Sequence, residues 1–393
     1  MVRNNGKLYR LLALLRKDLN PVSSSKMQYF KGKRVLITGA CGTVGTELVR
    51  LLLEDSSYSP DEIVGIDNNE SELFFLDQKY VNDTRASFFL ADIRDRDALC
   101  HALQGIDIVF HAGALKHVTL CERSPYEAVQ TNIIGVENLI FAAMANAVGK
   151  VIFTSSDKAV NPTNVMGTSK LMGERLITAA NSNQREPSTI FASTRFGNVL
   201  GSNGSVIPIF EKQILQGGPI TLTDESMTRF VMSIEQAARL VLNSAQVARG
   251  GEVFVTKMPV IGILNLAEVM CDELAPRYGF SPDKIEIRLI GTKPGEKLYE
   301  ELMSDEETRR SLELDQFFAV LPAFRGFYNN IDYSYDSIVN DVVDNPYNSH
   351  HEIKLSKSEL KRFLIENKLI GYGADLSEVP SERYWPGDKE SHS

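Results

Sequence analysis

The run from Arg34 to Glu54, RVLITGACGTVGTELVRLLLE, leaves this chain few folds to choose from. Val35, Leu36 and Ile37 form an apolar stretch of the kind buried on both faces in a parallel sheet. The leucine-rich segment after the turn has helical character. Between them Gly39, Gly42 and Gly45 follow a TGxxGxxG pattern. Glycine is needed there because the backbone must turn tightly and admit a pyrophosphate to the N-terminus of the next helix, where free N–H groups point outward. Thr43 and Val44, inside the same turn, belong to the expected contact.

A glycine pattern alone is weak, but its context strengthens it. A second strand, EIVGIDNN, ends in Asp67, about 20 residues beyond Gly45. A carboxylate at that point accepts both ribose hydroxyls and repels a 2′-phosphate, which favours NAD over NADP. The other reading of Asp67 is a surface aspartate in a βα turn. Strand and helix signals then keep alternating: ASFFLADIRD, GIDIVFHAGALKHV, a helix from about Asn132 to Asn146, and KVIFTSSDK. Such alternation implies right-handed crossovers and an α/β, Rossmann-like, doubly wound parallel sheet. Asp92 and Ile93 follow the third strand, where adenine would lie. Ala112, Gly113 and Ala114 follow the fourth, against the middle of the cofactor, and Asn132 is counted with the cofactor residues. Cys41 reads as a small buried filler. His117 reads either as a pocket residue or as a packed, hydrogen-bonded one.

Composition narrows the partners. A formal net charge of -9 argues against nucleic acid, so any anion must be held by a local site. Cys41, Cys100, Cys121 and Cys271 lie far apart with no CxxC or His spacing, which indicates neither a metal site nor a disulfide framework and suits a reducing cytoplasm. No apolar run approaches the roughly 18 residues of a membrane span. The first 30 residues form a basic stretch with leucines at helical spacing up to Pro21. Docking on the chain's own body or a sister subunit, contact with an anionic membrane surface, and a transit peptide are the readings it allows; LLALL is too short for a signal peptide. The expected organisation is this helix and linker (1–30), an NAD-binding domain (31–200), a smaller α/β substrate lobe (201–325) with segments returning to the first domain, and a C-terminal extension (326–393).

TSSDKAVNPTNVMGTSK, from Thr154 to Lys170, concentrates the chemistry. Strand ends in a parallel sheet face the ligand crevice, so Ser156, Asp157 and Lys158 belong beside the nicotinamide. An adjacent acid and amine divide acid and base work if burial and mutual charge move their pKa values. The alternative is a surface ion pair or a turn cap.

TGACGTVG, ALKHV, TSSDKAVNPTNVMGTSK, RFGNVLGSNGSVIP, MTRF and KPGEKLYEEL together resemble the extended short-chain dehydrogenases that act as UDP-N-acetylglucosamine 4,6-dehydratases of bacterial glycan synthesis. The resemblance implies a reaction without net redox change. Hydride leaves C4 of the sugar for NAD, water is eliminated across C5 and C6, and the hydride returns to C6. Lys158 would then be the base for the C5 proton and Asp157 the acid for the departing C6 hydroxyl, with Lys170 on the nicotinamide ribose. An amine acts as base only if its pKa falls from about 10.4 toward neutrality, which partial burial and nearby Lys170 are expected to bring about. Met166 stands where a tyrosine completes the usual triad, and a thioether accepts no proton. NVMG resembles the membrane-anchored and capsule-synthesis branch. Either Ser156, Asp157 or an ordered water takes the C4 hydroxyl proton, or the chain has lost catalysis.

The same resemblance implies that Lys116, Asn198, Ser205, Val206, Arg229, Lys293 and Glu296 meet the UDP-sugar. Arg229 suits a diphosphate because guanidinium is planar and permanently charged, whereas Lys293 stands where arginine is commoner. Glu296 is expected at a ribose hydroxyl. Beyond about residue 325, Ser356 and Glu359 form a capping box before Leu360, Phe363 and Leu364, which reads as a lid or subunit contact. A homo-oligomer, dimer or larger, is expected. An epimerase or oxidoreductase on the same fold, and a non-catalytic nucleotide-sugar binder, are the alternatives. Asp157 beside Lys158 separates them, because simple epimerisation needs no acid/base pair for elimination.

Overall fold

Strand β1 (Arg34–Thr38) shows no apolar–polar alternation, and from Val35 onward it is fully buried because it lies inside a ten-stranded sheet. The computed structural model describes residues 29–184, 189–202, 205–291, 295–328 and 330–370. The basic N-terminal helix, Lys293 and the final residues fall outside this set. The parallel part of the sheet adds β2 (Glu62–Asp67), β3 (Ala86–Leu90), β4 (Ile108–His111), β5 (Lys150–Ser156), β6 (Ile190–Phe196) and β7 (Val253–Thr256) in the order β3-β2-β1-β4-β5-β6-β7. β8 (Ser311–Leu314), β9 (Phe317–Val320) and β10 (Ile338–Asn340) continue it antiparallel beyond β7, in the order β9-β8-β10. The winding reverses between β1 and β4, so a crevice opens above their carboxyl ends, as in any doubly wound sheet.

Helix α1 (Thr43–Glu54) leaves β1 through the glycine turn and buries Leu48, Leu51 and Leu52 against the sheet. The helix expected from Asn132 begins earlier, at Pro125, where proline fits a first helical position. It widens into a π turn at Gln130–Ile134 and ends at Ala145. By length and composition, Pro125–Ala145 is the one helix among the described residues that qualifies to cross a membrane. Val136, Leu139, Ala142 and Ala143 are nonetheless fully buried in the core, and Asn138 reaches from it to the carbonyls of Ile93 and Arg94. Helix α2 (Val165–Ala180) carries the second half of the central motif back across the sheet.

A second core gathers around helices Val206–Leu215 and Ile263–Leu274. Helix α3 (Lys357–Glu366) completes it, capped by Ser356 and Glu359 as their spacing predicts, with Leu360, Phe363 and Leu364 buried. This helix of the C-terminal extension therefore packs on its own body. Residues Tyr347–Asn348 pair with strand Glu301–Met303, directly behind the crevice.

Candidate active site

The glycine turn is built around a close approach. Gly39 has φ +66°, and a side-chain carbon there would lie 2.6 Å from the backbone of Gly113. One at Gly45 would lie 2.0 Å from the Gly39 carbonyl oxygen. Gly42 is the N-cap of α1 and no side chain caps that end, so the first-turn residues Thr43 and Val44 open on a cradle that any Cβ would fill. A dinucleotide pyrophosphate fits such a cradle. Asp67 sits over it: its Oδ2 accepts from the Cys41 N–H at 3.0 Å and its Oδ1 from the Asn69 N–H at 3.0 Å. Burial and Asp67 push the Cys41 thiol up to about 12, so it is an inert filler.

The adenine end is less simple than expected. Asp92 is held at 2.6 Å by Arg94, which also reaches Glu127 at 3.0 Å. Ile93 turns its side chain into the core, against Gly135, so that side chain does not face a cofactor. Ala112 and Gly113 are fixed by Thr38, whose carbonyl and Oγ1 accept their N–H groups at 3.1 and 3.2 Å, and Ala114 follows on the same loop. Asn132, buried inside the π turn, accepts from the Leu115 N–H at 2.9 Å and donates to the Leu115 carbonyl at 3.0 Å and to Ser169 Oγ at 2.9 Å. It staples the post-β4 loop to α2. Lys116 and His117 stand exposed on that loop, so the packed reading of His117 does not hold.

Beyond the end of β5 lies a cleft of about 320 Å³ lined by Asp157, Lys158, Asn198, Arg229, Glu296 and Glu300, among others. Ser156 Oγ donates to Asp157 Oδ1 at 2.6 Å, and Lys158 Nζ lies 3.1 Å from both Asp157 oxygens. Burial opposes the Asp157 charge, but Lys158, Ser156 and Glu300 outweigh it and hold the carboxyl below its usual range. For Lys158 the expectation is corrected. Burial disfavours its charge, yet Asp157 and Glu300 prevail and hold the ammonium above the ordinary lysine range. The amine brought near neutrality is Lys170: burial pulls it down to about 8, against the partial opposition of Glu174. Lys170 Nζ donates to the Thr154 carbonyl at 3.1 Å and lies 4.7 Å from the Phe153 ring centre.

Met166 does not reach this cleft. It is buried in a small apolar cluster with Cys121 and Ala128, which removes it from the candidate catalytic set. Arg229 is also differently employed. Its Nη1 donates to the carbonyls of Thr228 (2.8 Å) and Leu298 (3.2 Å), its Nη2 to that of Lys297 (3.0 Å), and its Nε faces Glu300 at 3.3 Å. The guanidinium holds the 296–300 segment in place and also lines the cleft. Glu296 lies 3.8 Å from it. Ser205 precedes helix Val206–Leu215, with its Oγ buried and without a hydrogen-bond partner among the described residues. Glu300 is the residue sequence reasoning missed. Its one available signal was the doubled glutamate in LYEEL.

Comparisons with known proteins agree with this architecture. The family model described as "Polysaccharide biosynthesis protein" matches residues 35–322. An uncharacterized membrane protein of Methanocaldococcus jannaschii is 46% identical over 338 residues, 86% of this chain and 97% of that protein. A UDP-N-acetylglucosamine 4,6-dehydratase (inverting) of Campylobacter jejuni is 36% identical over 310 residues, 79% of this chain and 89% of its own. A UDP-glucose 4-epimerase of Rickettsia canadensis is 36% identical over 343 residues, 86% and 96%. The crystal structure of Pen from Bacillus thuringiensis superposes with TM-score 0.78 at 40% identity, covering 87% of this chain and all of that one.

Proposed function

The chain belongs to the polysaccharide biosynthesis protein family, and from that premise we propose that it is an NAD-dependent nucleotide-sugar 4,6-dehydratase acting on UDP-N-acetylglucosamine. The observation that carries this reading is the ion pair of buried Asp157 and partly exposed Lys158 in the cleft beyond the end of β5. NAD, when bound, supplies a hydride acceptor and later a hydride donor, so the overall change is loss of water. Gly39, Gly42 and Gly45 would make room for its pyrophosphate, Asp67 would accept from a ribose, and Lys170 would meet the nicotinamide ribose.

The elimination falls to Asp157 and Lys158. At rest the pair is carboxylate and ammonium, the wrong way round for an acid and a base. Passing one proton over the 3.1 Å between them gives a carboxylic acid for the C6 hydroxyl and a neutral amine for the C5 proton, with no change in net charge. Ser156, 2.6 Å from Asp157, is placed to relay the C4 hydroxyl proton that Met166 cannot take. Asn198 and Glu296, which line the cleft, would meet the nucleotide sugar, and the Ser205–Val206 helix start is assigned to the same substrate. A cytoplasmic homo-oligomer belongs to the same proposal.

The test is incubation with UDP-N-acetylglucosamine and NAD in deuterated water, followed by mass spectrometry and NMR of the sugar. Loss of one water with solvent deuterium at C5 supports the reading. An intact sugar, or a C4 epimer with its water retained, overturns it in favour of a binder or an epimerase.

A further inference from the structure

Four separate parts of the chain converge on Glu300, which lines the cleft and is 5% exposed. Its Oε1 accepts from Asn198 Nδ2 at 2.8 Å and lies 3.3 Å from Arg229 Nε and 3.8 Å from Lys158 Nζ. Its Oε2 accepts from the Phe230 N–H at 3.2 Å. Each of these groups is a donor or a cation, which is the setting of an ionised carboxylate. The backbone is held as firmly. The Glu300 N–H donates to Ser349 Oγ at 2.9 Å and the Glu300 carbonyl accepts from the Ser349 N–H at 2.8 Å, while Ser349 Oγ lies 2.8 Å from Thr228 Oγ1. A residue of the C-terminal extension thus fixes a carboxylate beside the amine assigned to the C5 proton.

We propose that the Glu300 carboxylate is a positioning residue for Lys158: it orients the amine and stabilises the ammonium that forms when Lys158 takes the C5 proton. The proposal rests on the dehydratase reading above. Once the Lys158 proton has crossed to Asp157, that pair is neutral, and Glu300 is the carboxylate still charged at 3.8 Å from the amine. A carboxylate that holds a base in one orientation and steadies its protonated form plays the part of the aspartate behind the histidine of a catalytic triad. The step balances with Glu300 unchanged. The C5–H bond breaks and its proton goes to Lys158; its electron pair becomes the C5–C6 double bond; the C6–O bond breaks and the hydroxyl leaves as water with the Asp157 proton. The charged groups facing Glu300 are Asp157 and Lys158 from the turn after β5 and Arg229 from strand Thr228–Met232. Beyond Arg229 stands Glu296 at 3.8 Å, and the neighbouring Glu301 is paired with Lys297 at 3.5 Å. Burial and the Asp157 charge raise Glu300 to about 7 against the pull of Lys158 and Arg229, so about pH 8 is where the carboxylate is tested.

Glu300→Gln keeps the shape and removes the charge, whereas Glu300→Asp keeps the charge and shortens its reach. With UDP-N-acetylglucosamine and NAD in deuterated water at about pH 8, Glu300→Gln should still form NADH, seen by its absorbance, because that step takes hydride from C4. Deuterium should enter C5 at least about tenfold more slowly than in wild type, with Glu300→Asp in between. Deuterium entering at the wild-type rate, or loss of both steps together in a folded variant, overturns the proposal. A second readout needs no turnover. In protein carrying carbon-13 at lysine Cε, the Lys158 signal, identified by its absence from Lys158→Met, should titrate lower in Glu300→Gln by about 1–3 pH units. Equal midpoints overturn the proposal. If Glu300→Gln does not fold, Glu300→Asp should show a lowered midpoint and slowed deuterium in the same sense, and equality with wild type in both overturns the proposal. If the wild type forms NADH but neither loses water nor takes deuterium at C5, the dehydratase reading fails, and the Lys158 midpoint alone then decides whether Glu300 holds the amine.

Discussion

A side-chain carbon on residue 167 would lie 2.2 Å from the carbonyl oxygen of Lys158, so Gly167 lets α2 press directly on the backbone that presents the ion pair. The helix cannot back away without dragging Lys170 off the Thr154 carbonyl. Gly167→Ala should therefore destabilise the fold by about 1–3 kcal/mol, the usual cost of overpacking, and lower elimination more than that loss accounts for. Urea unfolding beside product formation checks this; unchanged elimination in a folded variant would mean that the close approach does not set the geometry of Lys158.

The cradle was readable because tight turns and close backbone approach demand glycine, and the positions of Gly39, Gly42 and Gly45 carry that demand in the letters themselves. Glu300 was not readable. It stands beside Glu301, and neighbouring side chains of an extended strand point to opposite sides. One meets Asn198 and Arg229, the other Lys297 and Asn161. Nothing local distinguishes the two. The carbonyl partners of Arg229 were hidden for a related reason: a guanidinium suits phosphate and backbone carbonyls alike, and Leu298 and Lys297 contribute carbonyls that any residue would supply. The raised Lys158 follows from the same gap, since the second carboxylic neighbour that tips its balance is the unread Glu300.

Lys158→Met should abolish water elimination while NAD still binds, because Lys158 lies beyond the cradle and contributes to the cleft alone. Equilibrium dialysis with NAD and mass analysis of the sugar are the two readouts. Normal turnover by this variant removes Lys158 from the mechanism. Lost NAD affinity would mean that the pair shapes the cofactor site as well.

Lys170 makes a prediction about stability against pH. Its folded value, about 8, is depressed below the ordinary lysine value of 10.5 by burial. Between those limits the unfolded chain binds more protons than the folded one, so stability rises with pH across this window. Lys170→Met, which removes the buried amine, should be the more stable protein at pH 7, and the gap from wild type should shrink by an amount on the order of 3 kcal/mol as pH rises to about 10. Urea midpoints for both proteins across that range decide it; a constant gap sinks the prediction.

Arg195, fully buried on β6, joins α2 to the segment that carries Glu300. Its guanidinium meets Glu174 of α2 at 2.6 Å, Glu307 at 3.0 Å and the Leu302 carbonyl at 2.8 Å. Burial opposes the Glu307 charge, but Arg195 overrides it and holds that carboxyl down to about 2. Replacing Arg195 by Met strands two carboxylates in the core, and breaking a buried ion pair costs about 3–5 kcal/mol. The loss must depend on pH. A depressed carboxylate contributes stability above its unfolded value and loses that contribution as pH falls through its folded value, here from the ordinary glutamate value of 4.5 toward about 2. The difference between wild type and Arg195→Met should accordingly be largest at neutral pH and shrink on acidification below about 4.5. Arg195→Lys should recover little of it, since one ammonium cannot span two carboxylates and a carbonyl in a planar fork. Denaturant midpoints at neutral and acid pH measure both effects. A neutral-pH loss below about 1 kcal/mol would show that the triad is replaceable by packing, and Leu302 would then be held to Glu174 by something other than Arg195.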